Sequence, residues 1–524
     1  MDYKDSNHEQ NTADTTNSNP KSFDARLLMI TTLMISGCSI IYEVLISSVS
    51  SYLVGDSIRQ FSITIGLYMS AMGIGSYISR YVKKRLFDWF VFIEIAVGII
   101  GGLTTIILFM AHIYLETYML IMYVHIILIG ILVGLEIPLL TRIIEENSPN
   151  LRMTLSTLFS FDYIGGLIGS IAFPLVLLPQ LGYFTTSFLT GSINIAVALV
   201  IVLKYKSSIK RGTVFTVISV ISLVIMFLGT IFSSDIARNI ESNLYRDQVV
   251  FSKQTKYQKI VMTKHKDDLR LFINGNLQFS SSDEYRYHES LVHIPMMASA
   301  NKENILVLGG GDGLAVREIL KYDEVDKITL VDLDDEMVNL CKNDKQVTKI
   351  NEGALSSSKL EVIITDAYKY LEECREYYDV IIIDLPDPNN EGLNKLYTNV
   401  FYRLASNRLS KGGVMSVQST SPYYASEAFW CINKTIREEG LNVEPYHIQV
   451  PSFGDWGFNL ASKEQIDISN LEIEVPTRFL NQDVLDSMFN FAEDEKIEMD
   501  NIISNTLSKP QLIEYYLEAV ERWR

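Results

Sequence analysis

Cysteine is scarce in this sequence, with only Cys38, Cys341, Cys374 and Cys431, and no C-x-x-C pair among them. Their scatter excludes a disulfide framework and a zinc site built from clustered thiolates, so we expect reduced, structural cysteines. Basic residues are also outnumbered by acidic ones: 45 Lys and Arg against 62 Asp and Glu give a net charge of −17. A nucleic-acid partner, which normally requires a basic face, is therefore not expected.

The amino terminus lacks a basic start followed by an apolar core. Residues 1–25 are instead polar and rich in Asn, Ser, Thr and Asp. This composition argues against a cleaved signal peptide and predicts a disordered tail.

Long apolar runs dominate residues 26–233. Each run is close to the roughly 20 residues that a helix needs to cross a bilayer. Small residues recur within the runs, as in AMGIGS and IGGLIGS, and favour close helix packing in lipid. The sequence therefore predicts a multi-pass α-helical membrane domain of about seven helices. The predicted spans are 27–50, 59–82, 87–111, 117–141, 155–178, 183–204 and 212–233.

The charged loops predict an orientation that conflicts with the expected chemistry. Lys and Arg concentrate after the second, fourth and sixth spans, which places the amino terminus in the cytoplasm by the positive-inside rule. Seven crossings would then leave the carboxy-terminal half outside. We expect a catalytic domain in the cytoplasm, attached to the cell membrane. That placement requires that a span such as 212–233 does not cross, or that the span count is off by one.

Four acidic residues fall within or near the predicted spans: Glu43, Glu94, Glu136 and Asp162. Carboxylates in a membrane are costly and are often functional. They could line a path for a cation such as a polyamine. Alternatively, they could lie near helix ends or hydrogen-bond within the bundle, and the sequence does not decide between these interpretations.

The second half of the chain reads as a globular α/β domain, predicted over residues 240–465. The stretch QKIVMTKHKDDLRLFINGNLQFS alternates apolar and polar residues around an NG turn, which predicts a small β region. Apolar strand patterns then alternate with helices, which is typical of a mostly parallel sheet in a Rossmann-like, class I methyltransferase-type fold. Residues 466–524 are acidic with apolar residues at helical spacing, and predict a helical extension.

Ligands of such sheets bind beyond the carboxyl ends of the strands, where several acidic residues lie. The glycines of GGGDG, including Gly309 and Gly311, allow a tight turn and close approach of a ligand to the backbone. Asp332 closes the next strand, where an acid commonly binds ribose hydroxyls. Asp366, in TDA with Ala367, could accept a hydrogen bond from an exocyclic amine such as that of adenine.

Two further acids, Asp384 and Asp387, follow the fully apolar strand in YDVIIIDLPDP. They could bind a metal, act as an acid/base pair, or hold an ammonium group. No His or third acid lies at ligand spacing, so we expect no metal. A diamine is the better match, because a cation lowers the cost of holding two carboxylates together.

Taken together, these motifs resemble the spermidine synthases, the polyamine aminopropyltransferases. The resemblance covers about residues 245–465, and the chain is similar to members in which a multi-pass membrane segment precedes the synthase domain. The motifs that carry it, in order, are GNLQFSSSDEYRYHE, GGGDG, VDLD, TDA, DLPDP and WGFNLAS.

The resemblance implies an enzyme that transfers an aminopropyl group from decarboxylated S-adenosylmethionine to putrescine or a related diamine. The products would be spermidine and 5′-methylthioadenosine, with no tightly bound cofactor. Asp312 would attract the donor's terminal ammonium and repel the carboxylate of ordinary S-adenosylmethionine, which combines attraction with rejection. An S-adenosylmethionine-dependent methyltransferase, or a polyamine transporter or sensor with a synthase-like domain, are the alternatives. By analogy, the enzyme would be a homodimer.

The resemblance also implies residue roles. Asp384 would be the catalytic base and Asp387 the anchor of an amine, while Tyr287 and His288 would hold the polyamine chain. The nucleoside side would be formed by Gln258, Gly309, Gly311, Asp332, Asp366 and Ala367, with Gln278 and Glu289 in support.

Some positions depart from the family pattern. Asp332 stands where members usually carry Glu, and NNEG follows DLPDP where G-P is usual. Phe453 stands where a tyrosine is often found, which removes a hydroxyl from the amine site and leaves the acceptor open. Trp456 could offer a ring face to an ammonium group, or be a core residue.

Overall fold

The computed structural model describes residues 24–55, 57–147 and 151–523. The predicted disordered tail, residues 1–25, lies outside the described residues except for Asp24 and Ala25, which open the first helix. The amino-terminal half is helical. Its helices are α1 (Ala25–Val54), α2 (Ser57–Ile78), α3 (Leu86–Gly102), α4 (Thr104–Tyr114), α5 (Tyr118–Asn147), α6 (Leu151–Ala172), α7 (Leu178–Lys204), α8 (Gly212–Ile231) and α9 (Ser233–Tyr245).

Five helical stretches within the described residues are long and apolar enough to cross a membrane, or six if α3 and α4, bent by 45°, count as one span. The fifth and sixth predicted spans share one run, Thr154–Lys204, of 51 residues. At 1.5 Å per residue this run is about 75 Å long, more than twice the roughly 30 Å of a bilayer's hydrocarbon core. It breaks at Gly182, whose φ of 70° and ψ of −178° are not helical. Both α6 and α7 pack against α1, so the chain reverses between them.

The bundle helices approach closely at the small residues noted in the sequence. A methyl group on Gly75 would lie 2.1 Å from the carbonyl oxygen of Ile131, and one on Gly165 would lie 2.2 Å from that of Leu33. Larger side chains at these glycines would therefore push α2 away from α5, and α6 away from α1.

The basic loops gather at one end of the bundle. Lys204, at the end of α7, lies 3.5 Å from Asp24 at the start of α1. Arg142, near the end of α5, donates to the carbonyl oxygens of Val82 (2.6 Å) and Ser79 (2.7 Å), just after α2. Successive spans therefore run in alternating directions between the two ends of the bundle, as the positions of the basic residues predict.

The globular half meets the opposite end of the bundle. Tyr52, near the end of α1, hydrogen-bonds Tyr245 (2.7 Å), which leads into the globular half. The two ends of α8 also lie at opposite ends of the bundle. Just before α8, the Lys210 amide donates to Asp88 (3.3 Å) at the basic end, and just after it, Ser233 hydrogen-bonds Thr185 (2.8 Å) at the globular end. Helix α8 thus runs from the basic end to the globular end, so it has the length and direction of a full crossing of the bundle.

The predicted β region is a four-stranded antiparallel sheet in the order β1 to β4. The NG turn joins β3 and β4, with positive φ at Asn274 and Gly275, as a two-residue hairpin turn requires. Its strands are β1 (Gln248–Gln254), β2 (Lys259–His265), β3 (Asp268–Ile273) and β4 (Asn276–Ser280).

The second sheet has seven strands in the order β10-β11-β9-β8-β5-β6-β7, and β9, β8, β5, β6 and β7 run parallel. Its strands are β5 (Asn304–Gly309), β6 (Lys327–Asp332), β7 (Leu360–Ile364), β8 (Tyr378–Asp384), β9 (Leu409–Gln418), β10 (Asn442–Val450) and β11 (Gly454–Ser462). The helices that pack with it are α10 (Glu284–Ala298), α11 (Leu314–Ile319), α12 (Asp335–Asn343), α13 (Lys345–Ile350), α14 (Ala367–Glu373), α15 (Glu391–Asn394), α16 (Asn399–Ser406) and α17 (Ser426–Glu438).

The central strands are buried on both faces, which confirms the Rossmann-like prediction. In β8, Val380 and Ile382 join the core on one face, while Ile381 and Ile383 join the core on the other. Strand order reverses between β5 and β8, and open sheets of this type bind ligands at such a switch point.

The carboxy-terminal extension is only partly helical. Its helices are α18 (Gln482–Met488) and α19 (Gln511–Arg522), and the 22 residues between them contain a single 3-10 turn, Met499–Asn501. The acidic run AEDEK and Pro510 separate the two apolar helical patterns. Within residues 466–524 the structure therefore has two α-helices, and the chain between them is largely irregular.

The glycine turn after β5 gives a test of this packing. We expect Gly309→Ala to destabilise the protein far more than Gly440→Ala, its control. Both residues have positive φ, 81° and 78°, so each alanine carries strain of about 1–3 kcal/mol. Only at Gly309 would the new methyl group meet backbone, 2.0 Å from the Asp384 carbonyl oxygen. Chemical unfolding of the two purified variants measures the difference, and equal losses would contradict the packing described.

Candidate active site

The glycine turn brings three strand ends together. Gly309 is the register partner of Asp384, so β5 and β8 end side by side. The Gly311 amide donates to Asp332 Oδ2 (3.1 Å), and a methyl group on Gly311 would lie 2.5 Å from that oxygen. The glycines therefore let the turn lie directly against two carboxylates from neighbouring strands.

One cavity opens at this edge of the sheet. The side chains and backbone that line it include all eleven residues predicted to bind substrate or to catalyse the reaction, so the structure brings these eleven together. Its lining includes Gln258, Tyr287, His288, Gly309, Gly311, Asp312, Asp332, Asp366, Ala367, Asp384 and Asp387 from that set, and Gln278, Leu333, Met337, Asn389, Gln418, Phe453 and Trp456 besides.

Asp332 and Asp366 mark the side of the cavity predicted to hold a nucleoside. Burial raises the pKa of Asp332 to about 6, although its bonds from the amides of Asp334 and Gly311 oppose the shift. Asp366 caps α14 by accepting from the amide of Tyr368 (2.9 Å), and its other oxygen binds Lys395 (2.5 Å). Part of its bonding capacity is therefore committed before any base arrives.

Asp312 is buried and Asp384 is half-buried, and both line the cavity. Asp312 accepts from the Leu314 amide (2.9 Å) at the start of α11, and burial raises its pKa. Asp384 accepts from the Tyr287 hydroxyl (2.6 Å). Burial raises the pKa of Asp384 to about 6, while His288 and the Tyr287 hydroxyl lower it and Asp312 raises it further. A bound cation would favour the ionised form of both acids.

Asp387 is held from two sides in the loop after β8. Gln418, at the end of β9, donates to its Oδ1 (3.2 Å), and Tyr516 of α19 donates to its Oδ2 (3.0 Å). Burial raises the pKa of Asp387 to about 6 despite these bonds. Gln418 and Tyr397 also bind the carbonyl oxygen of Leu385, which fixes the loop that carries both acids.

His288 belongs to a buried charged network. Its Nδ1 binds Glu284 Oε2 (2.9 Å), and Arg317 binds both carboxylate oxygens of Glu284 (2.8 and 3.0 Å). Burial alone would lower the pKa of His288, but the bond to Glu284 and the charges of Asp312 and Asp384 raise it to about 9. The cavity thus contains an imidazolium ion beside two of its carboxylates.

Glu289, predicted to support the pocket, has a different place. Its carboxylate accepts from the amides of Arg478 (2.6 Å), Phe479 (2.9 Å) and Leu480 (3.0 Å), and it does not line the cavity. Glu289 therefore holds the carboxy-terminal extension against α10. Gln278, by contrast, does line the cavity.

Several site residues were missed from the sequence. Gln418 ends a strand adjacent to β8, so knowledge of the strand order would have found it. Lys395 and Tyr397 follow a short helix, and neither stands out as a motif. Tyr516 lies 129 residues from its partner Asp387 and carries no local signal.

The departures from the family pattern have clear structural counterparts. In NNEG, Asn390 accepts from the Leu393 amide (3.0 Å) and thereby caps the short helix α15. Phe453 and Trp456 both line the cavity, with ring centroids 5.1 Å apart. Trp456 is therefore placed where its ring can meet a ligand.

Three potential metal ligands, His447, Asp455 and Glu495, lie close together away from the cavity. Both imidazole nitrogens of His447 are already used, by Asp455 Oδ1 (2.8 Å) and by the carbonyl oxygen of Asn490 (2.9 Å). The cluster therefore joins the β10–β11 hairpin to the extension through hydrogen bonds.

Three acids of the helical bundle, Glu43, Glu94 and Glu136, are buried. Asn194 donates to one oxygen of Glu94 (3.2 Å), which fits hydrogen bonding within the bundle. The second oxygen of Glu94 and one oxygen of Glu136 have no hydrogen-bond partner. Both interpretations of these acids therefore stay open.

A Rossmann-like sheet with a glycine turn and several carboxylates at its switch point is typical of enzymes that bind a nucleoside or nucleotide. Comparison with known proteins identifies which one. Residues 284–471 match the spermine/spermidine synthase domain. The polyamine aminopropyltransferase of Oceanobacillus iheyensis is 42% identical over 494 residues, covering 94% of this chain and 96% of the relative. That of Leptospira interrogans is 42% identical over 491 residues, covering 93% and 97%.

The chain therefore belongs to the polyamine aminopropyltransferase family and is an enzyme of that family. Among solved structures, spermidine synthase from Thermotoga maritima is similar over 47% of this chain and 84% of its own, with 26% identity and a TM-score of 0.42. The two relatives that are 42% identical over nearly the whole chain confirm the family expected from the motifs.

The charged network gives a test of the site's electrostatics. We expect Glu284→Gln to lower the pKa of His288 from about 9 towards its ordinary value, because the substitution removes a negative charge 2.9 Å from the ring. Titration of labelled histidine by NMR measures the change. His447, which binds Asp455 instead, is the internal control, and an unmoved His288 titration would contradict the assignment.

Proposed function

We propose that this enzyme transfers the aminopropyl group of decarboxylated S-adenosylmethionine to putrescine, giving spermidine and 5′-methylthioadenosine. The observation that carries the proposal is the placement of Asp312, Asp384 and Asp387 around one cavity. Three carboxylates with restricted access to water suit ligands with several positive charges, because each cation reduces the free-energy cost of keeping the acids ionised. A sulfonium donor with an ammonium tail and a diamine acceptor are such ligands.

The donor fits the side of the cavity formed by the glycine turn. Asp332 accepts hydrogen bonds from the ribose hydroxyls, while Asp366, Ala367 and Gln258 contact the base and the rest of the nucleoside. Asp312 faces the donor's terminal ammonium. A carboxylated donor would bring a second negative charge against this buried acid, which disfavours ordinary S-adenosylmethionine and a methyl-transfer reaction.

The acceptor fits between Asp384 and Asp387. An alkyl diamine is protonated at neutral pH, with a pKa near the value of about 10 for Lys, so one amine must lose its proton before it attacks. Asp384, with its pKa raised to about 6, accepts that proton. Asp387 binds the other ammonium group, while Tyr287 and His288 line the path of the chain.

The transfer step balances without a metal or a redox partner. The neutral amine nitrogen attacks the methylene carbon next to the sulfonium, a C–N bond forms and the C–S bond breaks. The bonding electron pair moves to sulfur, which leaves as the neutral thioether of 5′-methylthioadenosine. Holding both reactants in line can lower the activation free energy by up to about 7–11 kcal/mol in well-oriented systems.

The reaction is tested by incubating the purified enzyme with decarboxylated S-adenosylmethionine and a panel of diamines. We expect 5′-methylthioadenosine to form with putrescine, and Asp384→Asn to reduce its rate of formation by at least about 100-fold, the usual scale of general-base catalysis. Donor binding should be largely retained. The exposed Asp323→Asn is the control and should keep full activity. Wild-type rates in Asp384→Asn would remove this residue from its role.

We also propose that the helical half, residues 26–233, lies in the cell membrane and that residues 240–465 form the catalytic domain. Helix α8 supports insertion, because only 17% of its most apolar stretch is buried inside the protein. Apolar side chains such as Val217, Ile221 and Phe227 are exposed. An apolar surface of this extent is unfavourable in water and is suited to lipid. By analogy with the family, the enzyme is a homodimer.

We place the catalytic domain in the cytoplasm, where its nucleoside substrate would be found. This orientation puts the basic end of the bundle outside, against the positive-inside preference. A pair of reporters fused after Arg524, one active only inside the cell and one only outside, decides the question. We expect activity from the inside reporter. Activity from the outside reporter alone would restore the charge rule and overturn the cytoplasmic placement.

A further inference from the structure

The helix α19 reaches the amine side of the cavity from the far end of the chain. Tyr516, near its middle, donates to Asp387 Oδ2 at 3.0 Å. Gln418 donates to the other oxygen, so a side chain from another part of the chain binds each oxygen of this carboxylate. Tyr516 does not itself line the cavity, and it therefore acts on any ligand through Asp387.

The start of α19 is tied to the same loop by a second route. The Leu512 amide donates to Asn505 Oδ1 (3.3 Å), and Asn505 Nδ2 donates to the carbonyl oxygen of Tyr397 (3.0 Å). The Tyr397 hydroxyl in turn binds the carbonyl oxygens of Leu385 (3.0 Å) and Pro386 (3.1 Å). Both connections end within the segment 385–387, so the extension fixes the loop that carries Asp387.

The packing of α19 makes these contacts rigid. Leu512 and Ala519 are buried in the core that also contains β8 and β9 residues such as Ile383 and Val417. Tyr516 packs at the edge of this core with its hydroxyl directed at Asp387. A hydroxyl held on a packed helix has little freedom to lose when it binds a carboxylate.

From this geometry we infer that Tyr516 is a positioning residue of the amine site, which keeps Asp387 oriented and ionised so that it can bind the distal ammonium group of the acceptor. The inference rests on the proposed function and extends it to a residue outside the matched synthase domain, which ends at 471. It also gives the site a phenol hydroxyl at Asp387, whereas Phe453 has removed one elsewhere.

The charge state of Asp387 links this role to pH. Burial raises its pKa to about 6, and the hydrogen bonds from Gln418, Tyr516 and Thr420 limit that rise. The charged groups that share the cavity with Asp387 are Asp312, Asp384 and His288, and of these Asp384 also has a pKa raised to about 6. The phenols of Tyr287, Tyr397 and Tyr516, which also interact with Asp387, are neutral at pH 7. Without the Tyr516 hydroxyl, the pKa of Asp387 moves upward, and more of the acid is protonated at neutral pH.

The test compares Tyr516→Phe with Tyr515→Phe. Tyr515 is the neighbouring, similarly half-buried tyrosine, and its hydroxyl accepts from the Ile503 amide (3.3 Å) at the protein surface. At pH 7 we expect Tyr516→Phe to weaken diamine binding, and to raise KM for the diamine, by about tenfold, the scale of a hydrogen bond to a charged group. KM for the donor should stay unchanged, as should both constants in Tyr515→Phe.

The pH profile separates this role from a general loss of packing. Because a larger fraction of Asp387 ionises as pH rises, the defect of Tyr516→Phe should be largest near pH 6 and should shrink towards pH 9. In an Asp387→Asn background, Tyr516→Phe should have no further effect, since the carboxylate that it serves is gone. A pH-independent defect, or full additivity with Asp387→Asn, would overturn the inference.

Calorimetric binding of putrescine to the full-length protein, with 5′-methylthioadenosine present, keeps the inference separate from turnover. If the enzyme forms no 5′-methylthioadenosine from its donor, the proposed function fails, yet a tenfold weaker binding in Tyr516→Phe still supports the inference. Unchanged binding in Tyr516→Phe overturns the inference alone. A wild-type protein that binds no diamine overturns both.

Discussion

The burial of aspartates at the end of a parallel sheet is the constraint on which the rest of the catalytic domain depends. Asp312, Asp384 and Asp387 face one cavity, and burial raises the pKa of each. Like charges in such a site are tolerable only with donors or cations beside them. The Tyr287, Gln418 and Tyr516 side chains and the His288 imidazolium supply part of this compensation, and cationic substrates are suited to supply the remainder.

The surrounding architecture serves to hold these acids in place. The glycine turn allows β5 and β8 to end against each other, which brings Asp384 beside the turn that carries Asp312. Glu284 binds the His288 ring and is itself held by Arg317. The loop with Asp387 is fixed by Tyr397 and Gln418. Each contact acts on a residue that lines the cavity or on a partner of such a residue, so the packing of this domain holds the geometry of the site.

The helical half and the catalytic domain are connected at one end of the bundle, opposite the basic loops. The positive-inside rule would put the basic end of the bundle in the cytoplasm, whereas the reaction is expected to take place there at the other end. Because α8 passes from one end of the bundle to the other, the structure does not remove this conflict. The carboxy-terminal extension adds a second connection, from the distal end of the chain to the loop that carries Asp387. It is therefore part of the active-site structure as well as a cover for the sheet.

The sequence by itself determined the fold class and eleven of the residues that line the cavity, because strand-end motifs such as GGGDG and YDVIIIDLPDP are local and their spacing reflects one sheet edge. Residues such as Asp332 and Asp384 could therefore be assigned to one site before the structure. Tyr516, Lys395 and the network of Glu284 and Arg317 could not, because their partners are distant in sequence and meet only when helices pack on the sheet. The place of Glu289, which holds the extension instead of the pocket, was decided by the same tertiary packing.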